Sequence, residues 1–501
     1  MRISYLQKFC SSKLFSVWLI LFISLNLYPE ENVFSQKSNI QTFHSQSLQS
    51  ALFHIENKLL QTLDEISYNP TLHPGHTNPL TGRWDLDHLG RDQWTSGFFA
   101  GSLWNMYLLT GDENWKELAY SWTEDLEPMI SATHDHDTGF RIFSSYGNGY
   151  KITQRRSYYR TLLQAANTLS QRFNPEIGAI KSWDWTGTFP VIIDNLMNLE
   201  LLFWVAQKSD NNRLYTIAKS HAEISQKHHM REDGSSYHIV DFDNNGNVSR
   251  KFTTQGAGPN SVWARGQAWA IYGFTMIYRF TGEQKFLDAA EAASQYFIER
   301  LPEDFIPLYD FFEPYTSVQT KDASAAAVAA SGFFELYEFT NNTLYFNTAV
   351  EILNSLSSER YSTINSALSS VLQESTLHRG FGRVGTSYAD YYYLEAIVRF
   401  KEIMQEEFPA LQVNSFLYLD QNYPNPFNNR TVIYYSIEQS GDTELTVYDL
   451  HGRRIRTLVN GLKAAGSYNV AFDASGLSSG VYIYKLKSNG ALLTRKMTII
   501  Q

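Results

Sequence analysis

A weak repeat of paired helices most constrains how this chain of 501 residues can fold. Four times, an apolar segment rich in aromatic residues leads through a short polar join into a more amphipathic segment. The joins begin at Thr110, Ser209, Thr281 and Thr340 and supply residues that cap helix N-termini. Repeated pairs of a buried and an amphipathic helix predict a closed ring of hairpins, with the apolar helices inside. An open solenoid is the alternative, but the irregular spacing disfavours it.

The predicted inner helices share an apolar character on nearly every side, which is typical of a helix buried all round. They are expected at Gly97–Leu109, Val191–Gln207, Trp263–Tyr278 and Ala323–Glu338. The segments that enter them carry most of the unusual polar residues. In a closed ring these entry points meet at one end of the cavity, so we expect the chemistry there.

The segment around Asp194 places a carboxylate among apolar residues. Pro190 suits the first position of a helix, and Asn198 follows Asp194 by one turn on the same face. Apolar surroundings disfavour the charged form, which would raise the pKa of Asp194 toward that of a general acid. The structural alternative is a first-turn carboxylate favoured by the helix dipole. The segment alone supports both readings equally.

The two ends of the chain differ from the helical region between them. Residues 1–35 are predicted to be a secretory signal peptide, because basic residues precede a short apolar run. The single cysteine, Cys10, lies within it, so no disulfide or thiolate nucleophile is expected in the mature chain. The helical domain is assigned to residues 36–410, a linker to 411–420 and a small all-β sandwich to 421–501. Its strands are predicted at Thr431–Ile437, Thr443–Leu450, Ser467–Phe472, Val481–Lys487 and Leu492–Ile499.

The net charge of the chain disfavours nucleic-acid binding, and its hydropathy disfavours a transmembrane helix after the signal peptide. A net charge of −10 argues against general nucleic-acid binding, which needs a basic surface. No segment after the signal peptide reaches the length of a transmembrane helix.

Three polar clusters are candidates for chemistry. His134–Asp137 places two His and two Asp side by side; a metal site is one interpretation, but adjacent ligands rarely share one ion. The other interpretation makes Asp137 a second carboxylate facing Asp194, since paired carboxylates are the usual equipment for hydrolysing sugar linkages. Arg265 on a buried helix requires an anion, either a structural carboxylate or a substrate carboxylate. The Gly-rich basic loop His378–Arg383 would hold an anionic substrate group or be a solvated turn.

Seven blocks of residues, in this order along the chain, resemble glycoside hydrolase family 88, the unsaturated glucuronyl hydrolases. The resemblance covers roughly residues 45–405. The blocks are Asp92–Phe98, His136–Phe140, Ile193–Leu199, Ser235–His238, Trp263–Phe274, Asp322–Ala326 and Tyr388–Ala396. The C-terminal region, with Asn422–Phe427 and Ser479–Tyr482, is similar to a type IX secretion sorting domain.

The resemblance implies an (α/α)6 barrel and a hydrolase that acts on oligosaccharides left by polysaccharide lyases. Such an enzyme hydrates the double bond of a 4,5-unsaturated uronic acid at the non-reducing end. Asp194 would protonate carbon 4 and then activate water for attack at carbon 5, while Asp137 would hold ring hydroxyls and help keep Asp194 protonated. His238, Gln255 and Arg265 would be polar substrate contacts, and Trp94, Trp183 and Trp269 aromatic walls. No metal or organic cofactor is implied.

The sorting-domain resemblance implies passage through the periplasm and recognition by the type IX secretion machinery. The mature protein would be secreted or attached to the cell surface.

Two departures from the family pattern bear on the substrate. The segment Leu377–Ser387 is shorter than in many members, where it helps bind a carboxylate or sulfate, and Thr254 stands where some members carry His. Two rival functions stay open. One is a hydrolase of the related family that acts on unsaturated rhamnogalacturonyl or ulvan fragments, and the other is a non-catalytic carbohydrate-binding barrel. The retention of Asp137 and Asp194 argues against the second.

Overall fold

The computed structural model describes residues 45–500 except 185, 244, 313–319, 365, 379, 408–416, 438–439, 451 and 490. Residues from Gln41 onward form one compact unit. The predicted signal peptide (1–35) and most of the predicted linker (411–420) lie outside the described residues.

A ring of six buried helices forms the centre of the described helical region. Neighbours contact each other in the order α2, the π-helix, α6, α8, α10 and α12, and α12 closes the ring onto α2. The bounds are Ser96–Thr110 (α2), Gly139–Gly147 (π-helix), Asn195–Ser209 (α6), Ala264–Thr281 (α8), Ala323–Thr340 (α10) and Ser387–Glu407 (α12). Four of these helices match the predicted inner helices, and their apolar residues are almost entirely buried.

Amphipathic helices pack against the outside of this ring. Apart from Ser45–Glu65, each follows its inner partner in sequence, for example Glu113–Glu124 on α2 and Gln284–Ile298 on α8. The remaining helices are α1 (Ser45–Glu65), α3 (Glu113–Glu124), α4 (Asn148–Thr153), α5 (Arg156–Ser170), α7 (Asn212–His229), α9 (Gln284–Ile298) and α11 (Thr343–Leu356). Two short 3-10 helices span Leu86–His88 and Glu127–Ser131. Polar side chains cap the outer helix at three of the four predicted joins, since Asp112, Asn211 and Asn342 each accept a backbone N–H of the helix that follows. At the remaining join, the N-cap residue Glu283 makes no side-chain cap hydrogen bond.

The helix predicted to start at Pro190 starts later. Phe189–Ile192 is instead strand β3, which pairs antiparallel with β4 (Ile239–Phe242), and β4 pairs with β5 (Val248–Phe252). Val191 and Ile192 are β-branched and favour a strand, and Pro190 is tolerated because β3 lies at the edge of this sheet. Asp194 consequently occupies the N-cap of α6. A two-stranded sheet, β1 (Phe173–Asn174) and β2 (Ala179–Ile180), precedes it.

The C-terminal region consists of two antiparallel sheets around one apolar cluster that includes Ile433, Tyr435, Leu445, Tyr484 and Met497. Their strand orders are β10-β7-β6 and β12-β11-β8-β9. The bounds are Leu417–Leu419 (β6), Arg430–Ile437 (β7), Gly441–Tyr448 (β8), Arg454–Lys463 (β9), Gly466–Asp473 (β10), Gly480–Ser488 (β11) and Ala491–Ile499 (β12).

Two of these strands were not predicted. Strand β9 is a sheet edge with polar residues and two register shifts against β8, so it lacks a clean alternation of apolar and polar residues. Strand β6 has three residues and lies largely within the predicted linker.

Gly139 allows the π-helix to approach α6 closely. A Cβ atom at this position would lie 2.5 Å from Cα and 2.6 Å from Oδ1 of Asn198. The same Asn198 Oδ1 accepts the backbone N–H of Phe140 at 2.8 Å. A π-helix is rare, and such turns occur frequently at functional sites. Here it fixes the segment that carries Asp137 against the helix that follows Asp194.

We expect Gly139→Ala to destabilise the protein by roughly 1–3 kcal/mol, because the added methyl overpacks this contact. Chemical denaturation measures the loss. Gly258→Ala is the matched control, since a Cβ there meets nothing within 4 Å. Equal stability of the two variants would show that the contact is not tight.

Candidate active site

Asp194 lies at the point where strand β3 ends and helix α6 begins. The preceding Ile193 donates its backbone N–H to His238 O at 3.0 Å, which ties this corner to the start of β4. The Asp194 residue is only 8% exposed, and its Oδ2 has no hydrogen-bond partner among the described residues. Burial raises the pKa of Asp194 to about 6, although the nearby His136 and Arg265 oppose the rise. About half of the Asp194 carboxyl therefore carries a proton at pH 6, where an ordinary aspartate is almost fully ionised.

His238 faces the unpartnered oxygen of Asp194. Its Nε2 lies 3.7 Å from Asp194 Oδ2, which is too long for a hydrogen bond, and it too lacks a partner among the described residues. The other ring nitrogen, Nδ1, lies 3.0 Å from Thr253 Oγ1, and this contact orients the ring. Burial lowers the pKa of His238 to about 3, so the imidazole is neutral. Two buried polar atoms left facing one another in this way are suited to a polar ligand.

Asp137 lies on the segment that leads into the π-helix. Burial, followed by the negative charge of Asp135, raises the pKa of Asp137 to about 7. His136 Nε2 lies 3.5 Å from Asp137 Oδ1, while His136 Nδ1 lies 3.3 Å from Asn198 Nδ2. Burial lowers the pKa of His136 to about 4. Asn198, one turn beyond Asp194 on α6, therefore contacts the imidazole that lies beside Asp137.

The ion pair between Asp135 and Arg141 holds the segment that carries Asp137 in place. Arg141 donates two hydrogen bonds to Asp135, at 2.8 and 2.6 Å, and Asp135 Oδ1 also accepts the backbone N–H of Asp137 at 2.9 Å. Burial alone would raise the pKa of Asp135, but the bonds and charge of Arg141 overcome it and hold the value at about 2. Asp135 is thus a structural anion. Within His134–Asp137, Asp135 therefore has a structural role, whereas His136 and Asp137 belong to the candidate site.

Arg265 has a structural carboxylate partner, which was one of the two predicted alternatives. Its Nη1 donates to Asp322 Oδ2 at 3.1 Å, to Ser324 Oγ and to the carbonyl of Thr376. Its Nη2 donates to Gln255 Oε1 at 3.1 Å and to the carbonyl of Leu377 at 3.0 Å. The guanidinium therefore holds Gln255 and the base of the loop that contains His378 and Arg383. Arg379, also part of the predicted basic loop, lies outside the described residues. The Nε of Arg265 is buried and unpartnered among the described residues.

Aromatic rings connect these elements. Trp94 lies 5.0 Å from Tyr388 and 5.5 Å from Phe140, and Phe140 lies 5.4 Å from Trp269, between ring centroids. Trp269 is completely buried, and its Nε1 has no partner among the described residues. Trp183 is half-buried, with its ring 6.4 Å from that of His136.

The contacts bring most of the predicted residues into one continuous cluster. The His238 ring lies 4.6 Å from that of Trp263 at a tilt of 45°, and the Arg265 guanidinium lies over the rings of Trp263 and Tyr388. Thr254, by contrast, is exposed.

Sequence reasoning had not assigned roles to His136, Asp322, Thr253 or Tyr388. Asp322 had a usable signal, because it directly precedes the apolar Ala-rich helix and caps it through Ser324 N and Ala325 N.

Comparison with known proteins identifies relatives of both regions. The Glycosyl Hydrolase Family 88 model matches residues 67–309, and a secretion system C-terminal sorting domain matches residues 421–501. An unsaturated glucuronyl hydrolase from Formosa agariphila is 43% identical over 319 residues, covering 61% of this chain and 79% of that protein. An unsaturated chondroitin disaccharide hydrolase from Streptococcus pyogenes is 33% identical, covering 62% and 81%.

A solved structure is also similar. The crystal structure of an unsaturated glucuronyl hydrolase specific for heparin superposes with a TM-score of 0.67 at 37% identity, covering 72% of this chain and 97% of that one. Among the described residues, no helix is both long and apolar enough to cross a membrane.

The stability of the Asp194→Asn variant, measured without an activity assay, tests the electrostatic environment of the Asp194 carboxyl. A carboxyl whose pKa rises from 3.8 to about 6 on folding stabilises the protein below pH 4, and this contribution is lost as the pH rises through 6. Relative to wild type, Asp194→Asn should therefore gain about 3 kcal/mol of stability between pH 4 and pH 8. Urea unfolding across this range measures the difference. A constant difference would mean that the native carboxyl titrates normally.

Proposed function

Because the chain belongs to glycosyl hydrolase family 88, we propose that Asp194 is the acid with which it hydrolyses its substrate. The protein is an unsaturated glucuronyl hydrolase, which removes an unsaturated uronic acid from oligosaccharides. The observation that carries the assignment of Asp194 is its burial beside His238, with an oxygen that no described residue satisfies.

The proposed reaction begins with proton transfer from Asp194 to carbon 4 of the unsaturated uronic acid. The positive charge that develops at carbon 5 is quenched by water, and the Asp194 carboxylate takes a proton from that water as the bond to carbon 5 forms. The product is a hemiketal, which opens and releases the rest of the oligosaccharide. One carboxyl serves as acid and then as base, and a pKa of about 6 suits both tasks near neutral pH.

The geometry supports distinct tasks for the surrounding groups. Arg265 lowers the pKa of Asp194 in part and so favours the carboxylate after proton release. Neutral His238, oriented by Thr253, presents Nε2 to a substrate oxygen or to the attacking water. We propose Gln255 as a substrate contact and Trp94 and Trp183 as walls against the sugar ring, whereas Trp269, expected as a third wall, is completely buried and packs against Phe140.

Asp137 has a smaller electrostatic role than the family resemblance implied. Burial is the largest cause of the raised pKa of Asp194, and the charge of Asp137 is the weakest of the contributions resolved. We therefore propose that Asp137 mainly holds ring hydroxyls, a task that suits a carboxyl placed by its neighbour His136.

We propose that the substrates are fragments left by polysaccharide lyases, with glucuronyl as the terminal sugar. The relatives named above act on heparin-type and chondroitin-type fragments, so both are candidates here. A related hydrolase of unsaturated rhamnogalacturonyl or ulvan fragments is the second candidate, and a panel of lyase-generated disaccharides separates the two.

We further infer that the closed ring, with α1 and the other amphipathic helices outside it, is an (α/α)6 barrel.

The C-terminal region is a type IX secretion sorting domain, which indicates export to the cell surface or secretion. We propose that residues 1–35 direct the chain into the periplasm and that residues 421–501 then engage the type IX machinery.

Asp194→Asn should abolish the reaction because the amide cannot donate an acidic proton. The unsaturated disaccharide absorbs ultraviolet light, and its hydration bleaches that absorbance. We expect kcat to fall by at least about a hundredfold, the lower end of what general acid–base groups contribute. Asp112→Asn, at an exposed helix N-cap, is the control and should retain full activity. Undiminished bleaching in Asp194→Asn would exclude the residue as the acid. No bleaching by wild type on any substrate would favour the carbohydrate-binding alternative.

The pH dependence of kcat/KM should have an alkaline limb near pH 6, because Asp194 must be protonated in the free enzyme. Asp137 has a pKa of about 7 and is therefore mostly uncharged near pH 6, so Asp137→Asn should leave the limb in place. A limb that moves in this variant would contradict this arrangement.

A further inference from the structure

A second cluster of polar side chains lies outside the candidate active site. It consists of His76, Asp85 and His88, referred to here as the His–Asp–His cluster. Within the described residues, it is the one group of three or more His, Cys, Asp or Glu side chains that offers ligand atoms all within 4.8 Å of one another. We propose that this cluster binds a divalent transition-metal ion of the Zn²⁺ class.

The interatomic distances in the cluster fit metal ligands better than hydrogen bonds. His76 Nε2 lies 3.6 Å and His88 Nδ1 lies 3.5 Å from the same carboxylate oxygen, Asp85 Oδ2. Hydrogen bonds between such atoms measure about 2.7–3.2 Å. Ligands of a tetrahedral Zn²⁺, with bonds of about 2.0–2.1 Å, are separated by about 3.3–3.4 Å. Both imidazoles therefore converge on one oxygen at the spacing that a shared cation requires.

A second observation points to a missing ligand. His88 Nδ1 is a buried atom and has no hydrogen-bond partner among the described residues. The His76 and His88 rings also lie only 4.5 Å apart, so both imidazoles are close enough to share one ion.

The local fold holds the three ligands in place without the metal. The backbone of Asp85 donates to His76 O at 3.0 Å, and Asp85 Oδ1 accepts the N–H of Asp87, which leaves Oδ2 for the cluster. Gly75 permits the close passage of these segments, since a Cβ there would lie 2.9 Å from His88 O. Two neutral imidazoles and one carboxylate leave a fourth tetrahedral position for water. Nitrogen ligands also favour Zn²⁺ over Mg²⁺ or Ca²⁺, which prefer oxygen.

The cluster adjoins two segments of the candidate active site. The ring of His76 meets that of Phe381 edge-on at 5.7 Å, and Phe381 belongs to the loop whose base Arg265 holds. His88 ends the short 3-10 helix that precedes Trp94 in the chain. A bound ion would thus link His88, in the segment before Trp94, to His76, against which Phe381 of this loop packs. We therefore expect a bound ion to raise the Tm.

The test is titration of the mature full-length protein, purified without a polyhistidine tag and stripped with a chelator, with Zn²⁺ alone. Calorimetry should show one equivalent bound, and the Tm should rise with Zn²⁺ but not with Mg²⁺. His88→Ala removes a ligand and should weaken binding by more than about a hundredfold, beyond the 10- to 100-fold cost of losing an outer partner of a ligand. Asp85→Asn, which retains an acceptor for Asp87 N, should also weaken binding, and it decides the matter if His88→Ala does not fold.

His228→Ala is the matched control, because this imidazole packs edge-on against Phe242, outside the cluster. It should bind Zn²⁺ as wild type does. The proposal is overturned if wild type takes up no Zn²⁺, or if His88→Ala and Asp85→Asn bind it as tightly as His228→Ala. None of these readouts depends on the proposed hydrolase activity.

Discussion

The burial of the Asp194 carboxyl away from water is the constraint on which the rest of the site depends. A carboxyl in solvent is ionised at neutral pH and cannot act as an acid there. At the N-cap of α6 the same group is almost fully buried, and burial is the main reason that it retains its proton up to about pH 6. The helix N-terminus favours a carboxylate in this place, so the fold must oppose that preference by excluding solvent. The ring of buried helices supplies the exclusion.

The neighbours of Asp194 are arranged so that each charge has a fixed partner. Arg141 neutralises Asp135, and Asp322 neutralises Arg265, both within buried ion pairs. A buried charge without a partner would be too costly, so these pairs stabilise the segments that carry Asp137 and Gln255. The unpaired atoms among the described residues include two that face each other at the proposed substrate position, Asp194 Oδ2 and His238 Nε2. Support and chemistry are therefore performed by different residues that lie next to each other in the chain.

Much of the fold could be predicted because apolar periodicity and capping residues act locally. The inner helices at 97–109, 263–278 and 323–338 are found within a few residues of the predicted bounds, since each ends at a residue in the left-handed conformation, namely Gly111, Gly282 or Asn341. The helix predicted in the Phe189–Ile192 segment was wrong, because a short apolar run fits a strand as well as a buried helix. Its pairing with Ile239–Phe242 is a tertiary contact that the local sequence does not contain. Strand β9 was missed because an exposed edge strand has no apolar alternation.

The site was less accessible to sequence reasoning than the fold. Motif blocks located Asp137, Asp194, His238 and Arg265, but they did not reveal which charge pairs with which. The structural partner of Arg265, Asp322, is 57 residues away, and only the closed ring brings the two together.

A direct titration of the Asp194 carboxyl tests the account most sharply. Carbon-13 NMR of the free enzyme, with the resonance assigned by its loss in Asp194→Asn, should give a pKa of about 6. A pKa close to 3.8, the ordinary value for aspartate, would mean that solvent reaches this group and that it is not the proton donor.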